Sequence, residues 1–138
     1  ILDIDATFIE AHKNTAKYSY LKKPGYMPMV GHINGGYVID VDFRDGNISP
    51  ADKNLEFIKQ CVLQLPVGKK FDRVRIFQTV LRDCASLHDS AGYQAAIFNY
   101  CDEQKMKFTV SAPLDKSIQK AIDEVNDNDW KQLGNSKI

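Results

Sequence analysis

The sequence is poor in the residues that build disulfide frameworks and zinc sites, with three cysteines and three histidines among 138 residues. An odd number of cysteines without CxxC spacing leaves no complete disulfide framework and favours buried thiols in a reducing intracellular compartment. The histidines lack any metal-ligand spacing, so no zinc site is indicated. The residues concerned are Cys61, Cys84, Cys101, His12, His32 and His88.

Long apolar runs and net charge are also missing. No stretch of about 20 apolar residues is present, which argues against a membrane partner. The 18 basic and 18 acidic residues cancel, so the chain lacks the overall charge of a nucleic-acid binder. Local basic clusters exist at Lys22-Lys23 and at Lys69-Lys70 with Arg73 and Arg75. A solvated face is the favoured interpretation of these clusters, and a binding patch is the alternative.

The length suits one domain with a real core, since about 100 to 150 residues is the commonest domain size. The first residue is Ile, and no secretory leader pattern follows it. We therefore expect a fragment or a processed product.

The first eight residues place acidic side chains in a predicted strand beside the core, where burying a charge is energetically unfavourable. Leu2, Ile4, Ala6 and Phe8 alternate with Asp3, Asp5 and Thr7, a period of two that predicts a strand, and its apolar content favours a central position. A carboxylate beside a core must lie near the surface, accept hydrogen bonds or bind a cation. For Asp5 we favour the cation; a structural acid is the alternative. Asp3 is expected to face solvent or to support the site from behind.

The rest of the chain predicts a mixed α/β fold. Strands are expected at 26–33 and 37–43 around the turn Asn34-Gly35-Gly36, and a helix capped by Ser49 with Pro50 in its first turn. The next elements are a strand at 74–81, a helix capped by Asp89 or Ser90, and a strand at 107–111. A final helix has an apolar stripe formed by Leu114, Ile118, Ala121, Ile122 and Val125. The tail after residue 126 has no closing element. An antiparallel meander followed by parallel strands with crossover helices is the predicted sheet.

Two acids are predicted at one edge of this sheet. Ligands of such sheets collect beyond the carboxyl ends of parallel strands. Asp5 lies late in the first strand, and Asp89 follows the fourth. Because two carboxylates there would repel, a divalent cation between them is expected, and oxygen ligands suit Mg²⁺ or Mn²⁺.

The two acids stand in short motifs, Asp5-Ala6-Thr7 on the first strand and Asp89-Ser-Ala-Gly-Tyr-Gln94 before the second helix. These resemble the first and second motifs of DDE insertion-sequence transposases. The stretches at 25–31 and 43–50 are similar to the middle section of the family, and the resemblance continues through 95–101, 107–110 and 114–116 to about Trp130. It implies a ribonuclease H-like fold, incomplete here, over residues 1–130, with 131–138 a tail or the start of a missing insertion subdomain.

The sequence departs from the family in two places. The third acid of the family is a Glu beyond an inserted subdomain, and nothing here matches it; Asp115 or Glu124 is a weak substitute, with a helix-surface role as the alternative. The segment from Phe77 to His88 also lengthens the approach to the second acid, which makes Asp83 a rival of Asp89.

The resemblance implies that the intact protein cleaves DNA and transfers its strands. It also implies that Asp5 and Asp89 are catalytic and bind the metal cofactor, Mg²⁺ or Mn²⁺. Its implied partners are transposon ends, target DNA and a second copy of the protein, in the bacterial cytoplasm near the nucleoid. The chain alone is expected not to catalyse. The alternatives are an inactive remnant that binds DNA or another protein, and a compact nuclease that completes its site with Asp115 or Glu124. A group of aromatic and basic residues has two interpretations. In the favoured one they belong to ordinary packing and a solvated loop, and in the alternative they contact DNA. The residues are Tyr18, Tyr20, Tyr26, Lys17, Lys22 and Lys23.

Overall fold

The first strand lies at the centre of the main sheet, as its composition predicts. The computed structural model of the chain describes residues 1–34, 36–78, 93–111, 115–126, 129, 132–133 and 136–137. In it, β1 (Leu2–Ala6) pairs antiparallel with β5 (Met29–Ile33) on one side and parallel with β7 (Arg73–Gln78) on the other. The strand β6 (Tyr37–Asp42) extends the antiparallel side, and β8 (Lys107–Val110) extends the parallel side.

The main sheet therefore has the order β6-β5-β1-β7-β8. This confirms a mixed sheet, in which β6, β5 and β1 are antiparallel and β1, β7 and β8 are parallel, and it is compatible with a ribonuclease H-like fold. Three helices accompany it: α1 (Asn54–Leu63), α2 (Ala95–Glu103) and α3 (Lys116–Asp123).

Helices α1 and α2 pack on one face of the sheet and form the core with it. Leu2 and Ile4 on β1 are at most 1% exposed, and they belong to one cluster with Phe57 and Cys61 of α1 and Ile97 of α2. Gly31 on β5 is needed for this packing, because an added Cβ there would lie 2.8 Å from the Cys61 sulfur. The carboxylates of Asp3 and Asp5, on alternate positions of β1, belong to the opposite face.

A small second sheet occupies the region between β1 and β5. It contains β2 (Ile9–Glu10), β3 (Lys17–Tyr18) and β4 (Pro24–Tyr26), in the order β2-β4-β3. The prediction of one strand over 26–33 was wrong, because Met27 and Pro28 separate β4 from β5. The run Lys22-Lys23-Pro24-Gly25 predicts a turn, but Gly25 lies within β4, where a Cβ would come 2.3 Å from the carbonyl oxygen of Ile9.

Two predicted helix features were also wrong. Helix α1 begins at Asn54, since residues 50–53 form turns and Ser49 caps a turn through its hydroxyl, which accepts from the Ala51 N–H at 3.2 Å. The apolar spacing predicts burial of Tyr93, Ala96, Ile97, Tyr100 and Cys101 by the second helix. Ile97 and Cys101 of α2 are buried, but Ala96 and, just before the helix, Tyr93 are exposed. The predicted caps Asp89 and Ser90 lie outside the described residues.

The C-terminal part differs from the prediction as well. The apolar stripe of α3 has no buried residue, and Ile122 and Val125 are 38% and 40% exposed. Beyond it, β9 (Gln132–Leu133) and β10 (Ser136–Lys137) form an antiparallel pair, in a tail where no element was predicted.

Candidate active site at the end of the central strand

Asp5 lies at the next-to-last position of β1, close to the carboxyl end of the strand. Its backbone neighbours are Val30 on β5 and Phe77 on β7. The residue is half-buried. The carboxyl ends of β1 and β7 meet at the same sheet edge because the two strands are parallel, and this is the edge at which ligands of such sheets bind.

Thr7 holds the carboxylate of Asp5. Its hydroxyl donates to Asp5 Oδ2 at 3.0 Å, a contact that a strand allows because residues two apart point to the same side. The N–H of Thr7 donates to the carbonyl oxygen of Pro28 at 3.1 Å, which fixes the backbone just beyond β1. The sequence predicts that Thr7 supports the hydrogen bonding of the strand rather than catalysis, and both its side chain and its backbone make such bonds.

The second acid cannot be placed next to Asp5, since Asp89 and its rival Asp83 both lie outside the described residues. The elements on either side of them are described. Strand β7 ends at Gln78 beside Ala6, and α2 begins at Ala95 with Gln94 as its N-cap in an extended conformation. The segment that contains both acids therefore leads from the carboxyl end of β7 to the N-terminus of α2.

The two substitutes considered for the third acid have helix roles in the structure. Asp115 is the N-cap of α3, and its Oδ1 accepts from the Ser117 and Ile118 N–H groups, both at 2.9 Å. Hydrogen bonds from Ser117 and Ile118 lower the pKa of Asp115. Glu124 forms an exposed i,i+4 ion pair with Lys120 at 3.7 Å. No group of three metal-ligating side chains occurs within the described residues.

Asp3 and Arg75 form an ion pair that sequence reasoning missed. The two residues are directly opposite in the parallel register of β1 and β7. Arg75 Nε donates to Asp3 Oδ1 at 2.5 Å and Nη2 to Oδ2 at 2.7 Å, a bidentate geometry that fits guanidinium to carboxylate. Asp3 is 7% exposed, so of its two expected roles, facing solvent was wrong, and a supporting role behind the site stays a prediction. The hydrogen bond to Asp3 raises the pKa of Arg75.

Arg44 is a second missed residue, and it explains the motif at 43–47. It is 6% exposed, and burial lowers its pKa. Its Nε donates to the carbonyl oxygen of Met27 at 3.0 Å and its Nη1 to that of Asp52 at 2.9 Å. Arg44 thus ties the entrance of β5 to the turn before α1. An arginine directly after an apolar strand was the available signal, but nothing in the sequence distinguishes it from a surface arginine.

The aromatic and basic residues of the small sheet divide into two groups. Tyr26 packs against Phe43 with ring centroids 4.9 Å apart and the rings tilted by 41°, and Lys23 pairs with Glu10 at 2.9 Å, so the packing interpretation holds for these two. Tyr18 and Tyr20 are 70% and 44% exposed. The alternative, contact with DNA, stays a prediction for them.

The fold and this site define an α/β domain with a carboxylate near the carboxyl end of the central strand and parallel strands beside it. The chain belongs to the DDE transposases: the model of the family Transposase DDE domain group 1 matches residues 1–137. The predicted family is thereby confirmed. No curated protein matches the chain. Membership supports a transposase role and implies DNA binding, and the family generally uses divalent metals.

In the part of the chain that the structure describes, none of the helices has the length and apolar character needed to span a membrane.

Proposed function

We propose that this chain is the part of a ribonuclease H-like transposase catalytic domain that supplies the first two metal-binding acids, Asp5 and Asp89. The observation that carries the proposal is the place of Asp5: near the carboxyl end of the central strand, held by Thr7, and beside the strand that leads into the segment with Asp89. The reaction of the intact protein is DNA cleavage and strand transfer at transposon ends.

The donors fit a hard divalent cation. Carboxylate oxygens are preferred by Mg²⁺ and Mn²⁺, which keep several waters and need few protein ligands. When bound, such an ion polarises the phosphodiester and activates the attacking hydroxyl. The residues of the chain position it: Asp5 supplies an oxygen from a rigid strand, and the hydroxyl of Thr7 fixes the orientation of that carboxylate.

The pair of Asp3 and Arg75 supports this arrangement electrostatically. Asp3 is two residues before Asp5 on the same strand, and an uncompensated second carboxylate there would repel the charge of Asp5. Arg75 neutralises Asp3 through two hydrogen bonds, so Asp3 is a structural acid and Asp5 is the proposed ligand on β1.

Metal binding tests the proposal directly. We expect Mn²⁺ added to the 138-residue chain to broaden the NMR amide signals around Asp5 and Thr7, because the ion is paramagnetic and bound at that edge. Asp5→Asn and Asp89→Asn should each weaken binding at least about tenfold, and Thr7→Val about tenfold, as loss of a supporting hydrogen bond usually does. Asp83→Asn is the matched control and should bind like the wild type.

Three results separate the alternatives. Broadening that is lost in Asp83→Asn but kept in Asp89→Asn would exchange the roles of those acids. Absence of Mn²⁺ binding near Asp5, with DNA binding kept in Asp5→Asn, would favour the inactive remnant. Nicking of supercoiled plasmid by the isolated chain, lost in Asp115→Asn or Glu124→Gln, would favour the compact nuclease, whereas we expect no nicking without the third acid.

A further inference from the structure

A basic cleft lies at the edge of the main sheet opposite to Asp5, where β7 and β8 begin. It is open to solvent, has a volume of about 530 Å³ and is lined by Ile1, Asp72, Arg73, Lys105 and Lys107. We propose that this cleft binds phosphate groups of the DNA backbone through Arg73, Lys105 and Lys107. The inference rests on the transposase function proposed above, which brings DNA to the chain, and it adds a second contact surface remote from the metal-binding edge.

The fold brings the three cationic residues together. Arg73 and Lys107 are paired positions at the start of β7 and β8, and the N–H of Lys107 donates to the carbonyl oxygen of Asp72 at 2.9 Å. Lys105 is in the turn that joins α2 to β8, where its N–H donates to the carbonyl oxygen of Asp102 at 3.0 Å. The cleft is therefore built on the ends of rigid elements.

The charges of the cleft are unpaired in the described part of the chain. Arg73, Lys105 and Lys107 are exposed, and no ion pair joins any of them to a described acid. Two like charges on directly opposed strand positions repel, so Arg73 beside Lys107 is unfavourable without a counterion. By contrast, Arg75 pairs with Asp3 and Lys23 pairs with Glu10.

The lining favours phosphate over a protein partner. The centre of a protein interface is usually depleted of charge and rich in aromatic anchors. Among the described residues that line this cleft, four have charged side chains and Ile1 is apolar. Arginine and lysine are the residues that contact DNA phosphates most often, and such contacts position DNA without reading its sequence. Asp72 lowers the net charge of the cleft from +3 to +2, which predicts that it weakens phosphate binding.

The salt dependence of DNA binding tests the proposal. Each phosphate contact adds about 0.9 to the slope of log K against log salt. We expect Arg73→Ala, Lys105→Ala and Lys107→Ala each to reduce that slope by about 0.9 and to weaken duplex binding about tenfold at 50 mM salt, measured by fluorescence anisotropy of the 138-residue chain. Asp72→Asn should tighten binding. Lys116→Ala, which removes an exposed cation on α3, is the matched control and should leave both quantities unchanged.

A competition distinguishes a backbone phosphate from a free one. Pyrophosphate added at constant ionic strength should displace duplex DNA only weakly, because a single small anion replaces few of the contacts. Wild-type slopes in all three cleft variants would overturn the inference while leaving the metal-binding proposal intact, and so would displacement of DNA by low pyrophosphate concentrations. Loss of the slope in Asp5→Asn, which should keep it, would assign the phosphate contacts to the other edge and also overturn the inference.

Discussion

Asp3 and Asp5 are two residues apart on one strand, yet their surroundings give them different chemistry. Arg75 reaches Asp3 with two nitrogens, at 2.5 and 2.7 Å, and the pair is neutral as a unit. Asp5 receives a hydroxyl hydrogen bond from Thr7, which orients its carboxylate. At the residue scale, the bidentate pair with Arg75 makes Asp3 a structural acid, whereas the hydroxyl of Thr7 positions Asp5, the candidate ligand.

Lys105 has an unfavourable backbone conformation for a residue other than glycine. It has φ of 54°, and it is the left-handed residue of a Schellman motif, since the N–H of Met106 donates to the carbonyl oxygen of Cys101 at 2.8 Å. Glycine is the usual residue at this position because it has no Cβ. A lysine at this position lowers the stability of the chain, and the proposed phosphate contact would account for its presence.

Lys105→Gly should therefore stabilise the chain while weakening DNA binding. We expect a gain of about 0.5–1 kcal/mol in the free energy of unfolding, after allowing for the greater freedom of glycine in the unfolded chain. Urea denaturation measures it. Lys105→Ala keeps the strained backbone and is the control: it should lose the same DNA affinity without the gain. A glycine variant no more stable than the alanine variant would contradict the strain argument.

At the scale of elements, the sequence pattern predicts the main strands but not the segments that connect them. The alternation in residues 1–8 and the turn at Asn34-Gly36 predict β1, β5 and β6, because side-chain period and positive φ are local properties. The small sheet depends on Gly25 fitting against Ile9 and on Gly46 fitting against Gly25, where a Cβ would lie 2.5 Å from a carbonyl oxygen. Close approaches between distant residues leave no local pattern, so this sheet was missed.

Helix α3 depends strongly on its first turn, since none of its residues is buried. Asp115→Ala should accelerate hydrogen exchange of the Ser117 and Ile118 amides roughly fivefold, because both donate to the lost carboxylate. Asp115→Asn keeps an acceptor and should exchange nearly as slowly as the wild type.

Lowering the pH should accelerate hydrogen exchange at the start of α3 in the same way as Asp115→Ala. The pKa of Asp115 is lowered below its usual value near 3.8 by hydrogen bonds from Ser117 and Ile118. The stabilisation is therefore complete above that value and is lost as the pH falls through the lower pKa of the folded state. Equal exchange in the alanine and asparagine variants at neutral pH would show that the cap does not hold the helix.

At the scale of the whole molecule, the core contains thiols that stay neutral. Cys61 and Cys101 are fully buried, which confirms the predicted buried thiols for these two; Cys84 lies outside the described residues. Burial raises the pKa of Cys61 to about 12 and raises that of Cys101 as well. In the unfolded chain both ionise near their ordinary values.

Stability should therefore fall in alkali. Between the unfolded pKa of Cys61, near 9, and its folded value of about 12, the unfolded state binds fewer protons, so the free energy of unfolding decreases as pH rises. One thiol contributes a slope of up to about 1.4 kcal/mol per pH unit. Urea denaturation from pH 8 to 10.5 measures the slope, and Cys61→Ala should flatten it; parallel curves for the two proteins would contradict the prediction.

The candidate site was predicted only in part, for a physical reason. Asp5 and Thr7 are both within one strand, where spacing determines which side chains meet. The pairing of Asp3 with Arg75 depends on the register of strands more than seventy residues apart, and Arg44 acts through carbonyl groups that any sequence provides. Neither leaves a trace in composition or period.

The parallel pairing of β1 with β7 also bears on how the domain assembles. Leu2 is opposite Val74 and Asp3 opposite Arg75, so the centre of the sheet joins segments far apart in the sequence. During synthesis, β1, β5 and β6 can form an antiparallel ribbon early, but its open edge waits for β7 to emerge. Topologies rich in such distant contacts fold slowly, and this open edge is the surface on which an unfinished chain risks pairing with another.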